Sequence, residues 1–500
     1  MKQILNSFND GTVSVINTPS PKCVVGGVLI ASDTSLISSG TEKMLVDFGK
    51  SNYLKKAYSN PDRVKQAIDK IRTDGVIATL ETVKAKLDSP IPLGYCNSGT
   101  IIESNCSEYK VGDRVISNGP HAEIVSVHKH LVSKIPEEVD AETAVFTVIG
   151  SIALQGIRLS NPLMGETFFV MGLGLVGLLA VQLLRANGCR VICSDINPSR
   201  VKLAETYGAI GINQGDIDQD ALCQLVSDRT QGYGVDGVII ATATSSDEPI
   251  SLAAKICRKL GRIILIGTAG LSINRADFYE KEITFQVSCS YGPGRYDATY
   301  EKSGIDYPYA YVRWTEQRNF QAILQLMQEN KINTDKLISH RYDISDGEKA
   351  IGALFEEKNC VGILIKYPHS KIVPKREIVK IGSRVEDFVN IGCIGAGSYA
   401  SKTLIPNFKN NGCNLEIISS NMGLSAAYNA KKFGFTTATN DASNIFENQN
   451  VNAVVISTTH ETHAEYIIAA LRANKHVFCE KPLCISIDQL RSIQEIKSQM

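Results

Sequence analysis

The chain has 500 residues, with 52 Lys plus Arg set against 52 Asp plus Glu and a formal net charge of zero. That length sets an expectation of roughly two to four domains. The charge balance excludes a basic stripe for nucleic acid and an acidic tail, and a 43% apolar share is enough to fill globular cores. The 13 cysteines are scattered without a C-x-x-C pair, and residues 1–9 lack a basic segment followed by an apolar run. The expectation is reduced thiols, no secretory leader and a cytoplasmic protein. The longest apolar run, 168–184, is short for a membrane span, contains Gly172, Gly174 and Gly177, and changes period partway. A buried strand passing into a helix explains it better.

In chain order, the first part reads as mainly β. Segments 12–17, 27–38 and 99–103 are short and rich in β-branched residues, 112–115 is a turn entering a strand, and 122–127 is a further strand. A helical insert lies between them at about 44–90, where Val64, Ala67, Ile68 and Ile71, then Leu80, Val83 and Leu87, recur at helical spacing. From 165 the pattern alternates strand and helix, with strands at 167–171, 190–194, 237–242 and 262–267, which predicts a parallel, doubly wound sheet. After 267 the character is mixed up to 367. Residues 368–388 are polar, with two prolines, and read as a linker. A second alternation then runs from 389 to 500, so the same type of fold is used twice.

The first alternation opens on Gly172-Leu-Gly174-Leu175-Val176-Gly177, after an apolar strand and at the start of a helix. The first glycine permits a tight turn, the second lets a pyrophosphate approach the backbone, and the third lets helix pack on strand. The helix N-terminus offers unpaired N–H groups to phosphate. Asp195 ends the next strand, where a carboxylate would take ribose hydroxyls and repel a 2′-phosphate, so NAD is favoured over NADP. Asp195 also has a plainer reading, as the cap of a turn before Pro198.

The second alternation opens on Gly395-Ala-Gly397-Ser398-Tyr399-Ala400, the same cradle with Ala in the last place. Its next strand, 415–421, ends in Ser420 and Asn421 rather than an acid. These side chains can hydrogen-bond ribose without excluding a 2′-phosphate, so NAD and NADP both stay open there. Farther on, a strand at 453–457 leads to His460 and His463, and a strand at 476–479 leads into Glu480-Lys481-Pro482. The histidines read as one helix cap and one residue lining the cofactor cleft.

These motifs carry two resemblances. Residues 20–365, through 38-SSGTE-42, 94-GYCNSGTI-101, 111-VGDRV-115 and the block 165–267, resemble the medium-chain dehydrogenase/reductase family, the zinc-type alcohol dehydrogenase relatives. In that family a GroES-like substrate domain is split around a Rossmann domain. The resemblance also marks departures. Ser39 stands where zinc-using relatives place Cys, and Tyr95-Cys96 stands where they place His-Glu. Residues 146–154 lack a third ligand, and the structural-zinc cysteines are missing after Val115. Zn²⁺ needs three or four converging donors, so no zinc is expected, and a different site using His121 or His128 is disfavoured. By the resemblance, Tyr95, Ser39, Thr41 and Glu42 are the polar groups nearest the cleft: either Tyr95 hydrogen-bonds a carbonyl oxygen with Glu42 orienting it, or Tyr95 fills the empty metal space and Glu42 holds a loop.

Residues 389–500, through the second cradle and Glu480-Lys481-Pro482, resemble the N-terminal Rossmann domain of the Gfo/Idh/MocA family of sugar-handling oxidoreductases. The resemblance implies that the turn sits beside the nicotinamide and that Lys481 reaches the reacting hydroxyl. Relatives continue through an α/β substrate domain with a further catalytic histidine. The second unit here is therefore expected to be incomplete, with an exposed sheet edge and little turnover of its own.

The fold expected is α/β: a GroES-like β domain plus two Rossmann-type doubly wound parallel sheets. Its divisions are 1–160 with the helical insert, 161–288 as the first Rossmann domain, 289–367 returning to the GroES-like domain, a linker at 368–388, and 389–500. The arrangement resembles bi-domain oxidoreductases of surface-polysaccharide pathways. It implies an NAD(P)-dependent, zinc-independent oxidoreductase for a small sugar or nucleotide-sugar type alcohol or carbonyl. Neither nucleic acid nor membrane is an expected partner, and assembly into a homo-oligomer is left open. Two other readings stand beside it: a non-catalytic dinucleotide-binding scaffold or redox-responsive module, and a zinc-independent quinone reductase.

Overall fold

The computed structural model describes residues 1–51, 90–357, 359–368, 378–380 and 389–499. The expected helical insert falls almost wholly outside these residues; its described start is a helix, Thr41–Lys50. Among the described residues no helix is long and apolar enough to cross a membrane.

The first unit opens with β1 (Lys2–Asn6), β2 (Val13–Asn17) and the long β3 (Gly27–Ser38), followed by β4 (Ile91–Pro92), β5 (Asn97–Ser104), β6 (Arg114–Ser117), β7 (Ile124–His128) and β8 (Val132–Lys134). β2, β1 and β4 form a small sheet. β3 is the spine of a 7-stranded sheet, pairing with β5, with β7 and with β16 (Gly362–Lys366), a strand from far along the chain. β15 (Ile338–Asp343) completes that sheet beyond β16. The return of β15 and β16 is what wraps the β unit around the alternating block between them. A strand as long as β3 persists because 10 of its 12 residues are buried.

The alternating block supplies β9 (Thr167–Met171), β10 (Arg190–Asp195), β11 (Ile210–Asn213), β12 (Val235–Ile240), β13 (Cys257–Leu265) and β14 (Thr284–Val287). They lie in the order β11-β10-β9-β12-β13-β14, and every pair is parallel. The order reverses at β9, and the crevice beyond the carboxyl end of that strand is where ligands bind in such sheets. Phe168 and Val170 pack into one core and Phe169 and Met171 into another, as the two-residue strand period requires. Both faces are thus covered, which explains the unbroken apolar run of β9.

The second unit holds β17 (Ile378–Lys380), β18 (Asn390–Ile394), β19 (Asn414–Ser419), β20 (Thr437–Thr439), β21 (Ala453–Ile456) and β22 (His476–Cys479), in the order β17-β20-β19-β18-β21-β22. Its five parallel strands, β20-β19-β18-β21-β22, repeat the order of β11-β10-β9-β12-β13 in the first alternating sheet, and β17 adds an antiparallel edge against β20. This corrects the reading of 368–388 as linker throughout: the β-branched pair Ile378-Val379 pairs with a strand edge. β22 is the opposite edge, and its side chains alternate between exposed and half-buried.

Candidate dinucleotide cradles and the polar cluster at Tyr95

In the first cradle the chain turns at Gly172, whose φ of +85° a side chain would resist. The turn is held by backbone, Gly172 N donating to Ser194 O at 2.9 Å. A Cβ on Gly177 would stand 1.9 Å from Gly172 O, so the helix Leu175–Ala186 rests directly on the turn. A Cβ on Gly174, by contrast, meets nothing within 4 Å. That open space lies before the helix amides of Leu175, Val176 and Gly177, which have no carbonyl a turn below them; the first helical bond is Leu178 N to Gly174 O, 2.9 Å. Open space, free amides and the dipole together fit a diphosphate.

Asp195 is buried and does two jobs within the protein. Oδ2 accepts from Leu173 N at 2.6 Å and Oδ1 accepts from Asn197 N at 2.8 Å. The capping reading is therefore realised, and the carboxylate also stiffens the cradle itself. Each oxygen retains a second lone pair with which to meet a ribose hydroxyl.

The second cradle repeats this plan. Gly395 has φ +99°, its amide donates to Ser419 O at 3.0 Å, and Gly397 is open. Ser398 and Tyr399 are exposed at the mouth, while Ala400 is buried. Asn429 Nδ2 donates to Ala396 O at 3.1 Å and steadies the turn. The helix begins with a π turn, Ala400–Leu404, before Ile405–Asn410. Pro406 follows at once, and its missing N–H removes an α-type bond there.

Ser420 differs from its expected place. β19 stops at Ser419, and the Ser420 hydroxyl accepts from Ser425 Oγ at 2.8 Å and Ala426 N at 3.3 Å. Its oxygen is used to start the next helix, Leu424–Phe433, which leaves its O–H as the group that could meet ribose.

Neither His460 nor His463 caps a helix, since no side chain bonds the start of His463–Arg472. His463 is buried and ties the catalytic-turn candidate in place: Nδ1 lies 2.7 Å from Pro482 O and Nε2 lies 3.2 Å from Thr458 O. A carbonyl only accepts, so the shorter contact is met with the proton on Nδ1. The Lys481–Pro482 peptide is cis, the Lys481 amide donates to Glu480 Oε2 at 3.3 Å, and the Lys481 side chain is exposed.

Around Tyr95 the structure brings together residues that the sequence keeps far apart. Tyr95 Oη donates to Thr41 Oγ1 at 3.2 Å. Glu42 does not bond Tyr95; it points inward, Oε2 accepting from Ser38 N at 3.0 Å and Oε1 facing His121 Nε2 at 3.4 Å. His121 Nδ1 meets Ser35 Oγ at 2.7 Å, and Ser35 Oγ meets Tyr367 Oη at 2.7 Å. Glu42 and His121 are both fully buried, and Glu42 Oε1 and His121 Nε2 have no hydrogen-bond partner among the described residues. One proton between the facing atoms is needed, because otherwise two lone pairs would oppose each other out of water. Gly94 makes room for this: with φ +96°, a Cβ there would stand 2.7 Å from the His121 ring.

Burial, and next the Glu42 carboxylate, push the Tyr95 phenol well above the ordinary tyrosine value of 10. The same two causes push up the Cys96 thiol. Tyr95 is thus a neutral donor, and Cys96 is a buried thiol rather than a thiolate ligand. No three His, Cys, Asp or Glu side chains converge to hold a metal ion among the described residues. His128 ends β7, and burial lowers its pKa. Tyr95 stands just before β5 of the first unit and Lys481 just after β22 of the second, so the two candidate catalytic groups are carried by different sheets. Sequence reasoning weighed His121 only as a metal ligand and did not register Ser35 or Tyr367 at all. Tyr367 lies 332 positions from Ser35, and no local pattern links them.

Residues 176–303 match a family model described as zinc-binding dehydrogenase, and residues 389–499 match one described as an oxidoreductase family with an NAD-binding Rossmann fold. The chain is similar to the (R,R)-butanediol dehydrogenase of Bacillus subtilis, 26% identical over 309 residues that cover 56% of this chain and 81% of that protein. It is also similar to the D-guloside 3-dehydrogenase of Escherichia coli, 28% identical over 49% of this chain and 68% of that protein. Among solved structures, alcohol dehydrogenase TADH from Thermus sp. ATN1 superposes with a TM-score of 0.57 at 18% identity, covering 74% of this chain and all of that one, a likeness of fold. The two sheets, their glycine turns and these matches agree: the chain is an NAD(P)-dependent oxidoreductase of two units, the first similar to zinc-binding dehydrogenases and the second to an oxidoreductase family with an NAD-binding Rossmann fold.

Proposed function

We propose that the first unit interconverts an alcohol and a carbonyl on a small sugar-type substrate, using NAD and no zinc, in a pathway of surface-polysaccharide chemistry. The observation that carries this reading is the buried Glu42–His121 pair behind Tyr95, in the region where zinc-using relatives would gather their ligands. Ser39 and a protonated Cys96 are poor substitutes for zinc thiolates, and Tyr95 offers a proton donor instead. The relatives named for butanediol and guloside support a polyol or sugar substrate.

Bound in the first cradle, the dinucleotide supplies or takes the hydride. The protein's part is positional and electrostatic. Thr41 holds the Tyr95 hydroxyl; with substrate bound, the Thr41 hydroxyl donates to Tyr95 Oη and the one Tyr95 O–H turns toward the substrate oxygen as charge grows there during reduction. Glu42 is held off Tyr95 by Ser38 and His121, so its charge raises the phenol's proton affinity without taking the proton. In the second cradle, the proposed roles are dinucleotide binding by Gly395, Gly397, Ser398 and Tyr399, with Glu480, Lys481 and Pro482 at the nicotinamide end steadied by His463.

The test follows NADH absorbance with wild type and Tyr95→Phe across a panel of ketoses, keto-sugars and quinones, alongside elemental analysis of the purified protein. Turnover of a sugar carbonyl without stoichiometric zinc, lost in Tyr95→Phe while NADH still binds, is the expected result. Stoichiometric zinc, or turnover indifferent to Tyr95, would overturn the reading.

A further inference from the structure

The ribose end of the second cradle is not built by the second unit alone. In this fold the residues just past the second parallel strand, here 420–423 after β19, receive the adenosine ribose. That turn is bonded to a loop of the first unit, residues 18–22, which joins β2 to β3. The Lys22 amide donates to Asn421 O at 2.8 Å. Gly423 approaches so closely that a Cβ on it would stand 2.2 Å from Pro19 O. Beyond β20, Asn440 Nδ2 donates to Ser20 O at 2.6 Å, with both residues buried. Lys22 Nζ lies 3.6 Å from Asp441 Oδ1.

Within this corner the polar groups are unequally committed. Ser420 is held by Ser425 and Ala426. Asp441 accepts from Ser443 N at 3.0 Å and faces Lys22. The Asn421 side chain is exposed and bonds no described residue, and the Lys22 side chain is 45% exposed. β19 ends without a carboxylate, whereas β10 of the first sheet ends in Asp195. Directly after the second strand the corner thus offers an amide and a cation where the first cradle offers an acid, with Asp441 on the far side of the cation.

Resting on the reading that the second cradle takes a dinucleotide, we propose that this dinucleotide is NADP and that Lys22, contributed by the first unit, holds its 2′-phosphate together with Asn421. A 2′-phosphate carries charge that needs a cationic partner, and lysine serves as a point charge for phosphate. The Lys22 backbone is pinned at Asn421, so its ammonium is tethered beside the ribose. Its half-exposed pairing with Asp441 is a weak tie from which it is readily drawn. The consequence is one chain with two cofactor preferences, NAD at Asp195 and NADP at Lys22, the second depending on the first unit being docked.

The experiment uses the full chain carrying Gly174→Asp, which sets a carboxylate in the first diphosphate space where a Cβ clashes with nothing. NADPH and NADH are each titrated by calorimetry into this variant alone and with Lys22→Ala, Lys22→Glu or Lys22→Arg. The Lys22 amide bond to Asn421 survives any of these changes, so the loop keeps its anchor. The expected result is NADPH bound about tenfold or more tightly than NADH. Lys22→Ala should cost NADPH about tenfold and NADH under about twofold, Lys22→Glu should reverse the preference, and Lys22→Arg should keep it. Binding that prefers NADH, or that Lys22 changes affect equally for both nucleotides, sinks the Lys22 assignment while leaving the second cradle a dinucleotide site. No binding of either nucleotide sinks both.

Discussion

Gly177 and Ala400 occupy the same step of two cradles built on the same plan, yet only the second tolerates a side chain. In the first, the helix sits so close that a Cβ would strike Gly172 O at 1.9 Å. In the second, the Ala400 methyl is buried at the start of a π turn. The strand that follows differs too: Asp195 braces the first cradle through two backbone amides, while the Ser420 oxygen is used to start a helix. The lesson is that a shared glycine pattern fixes where a diphosphate can lie, and the neighbouring residues decide how rigid the seat is and which ribose it accepts.

The sharpest way to break this comparison is to exchange the paired residues. Gly177→Ala should destabilise the protein by about 3 kcal/mol, the overpacking range, and abolish dinucleotide uptake by the first cradle. Ala400→Gly should cost about 1 kcal/mol and leave uptake by the second cradle intact. Chemical unfolding with nucleotide titration checks both.

A background for such measurements comes from Glu316, in the first unit outside both glycine turns. It is fully buried, and neither carboxyl oxygen has a hydrogen-bond partner among the described residues. Burial, aided by Glu301 and opposed by Arg295, pushes its carboxyl up to about 8. A raised carboxyl is protonated in the fold while the unfolded chain has already ionised. Stability from this group is therefore complete below the ordinary value of 4.5 and is lost as pH rises toward 8. Glu316→Gln should gain about 3 kcal/mol at pH 8 or above and nothing below the ordinary value, seen in melts across that window.

Tyr95→Phe should lower kcat about 100-fold with NADH affinity unchanged. Because the phenol is raised above 10, wild-type carbonyl reduction should show no loss from tyrosine ionisation below that pH. The smallest contrast lies at the ribose ends. Asp195→Ala strips the acceptor from two amides and should cost about 2 kcal/mol, while Ser420→Ala removes a helix-starting bond worth about 1 kcal/mol.

Much of this was legible in the sequence. Short strand-like runs bounded by turns placed β9 and β22 at their observed bounds, and the glycine spacing marked both turns, because these signals are local. β11 and β14 were missed, being four residues each and weakly patterned. The strand at 415–421 was read two residues too long, since a serine side chain ends it and strand propensity does not register that. The Tyr367–Ser35–His121–Glu42 chain was invisible for a different reason: β3 and β16 bring its ends together, and only tertiary pairing creates the contact. The tie between residues 18–22 and 420–441 is likewise a product of docking between units.

The central claim is that both cradles grip a dinucleotide. Calorimetric titration of wild type, Gly174→Asp and Gly397→Asp with NADH and NADPH tests it most directly, because a Cβ at either position meets nothing within 4 Å and a carboxylate there repels the diphosphate of that seat. The account predicts two occupied sites in wild type and a single remaining site in either variant. A stoichiometry that Gly174→Asp or Gly397→Asp leaves unchanged would contradict it.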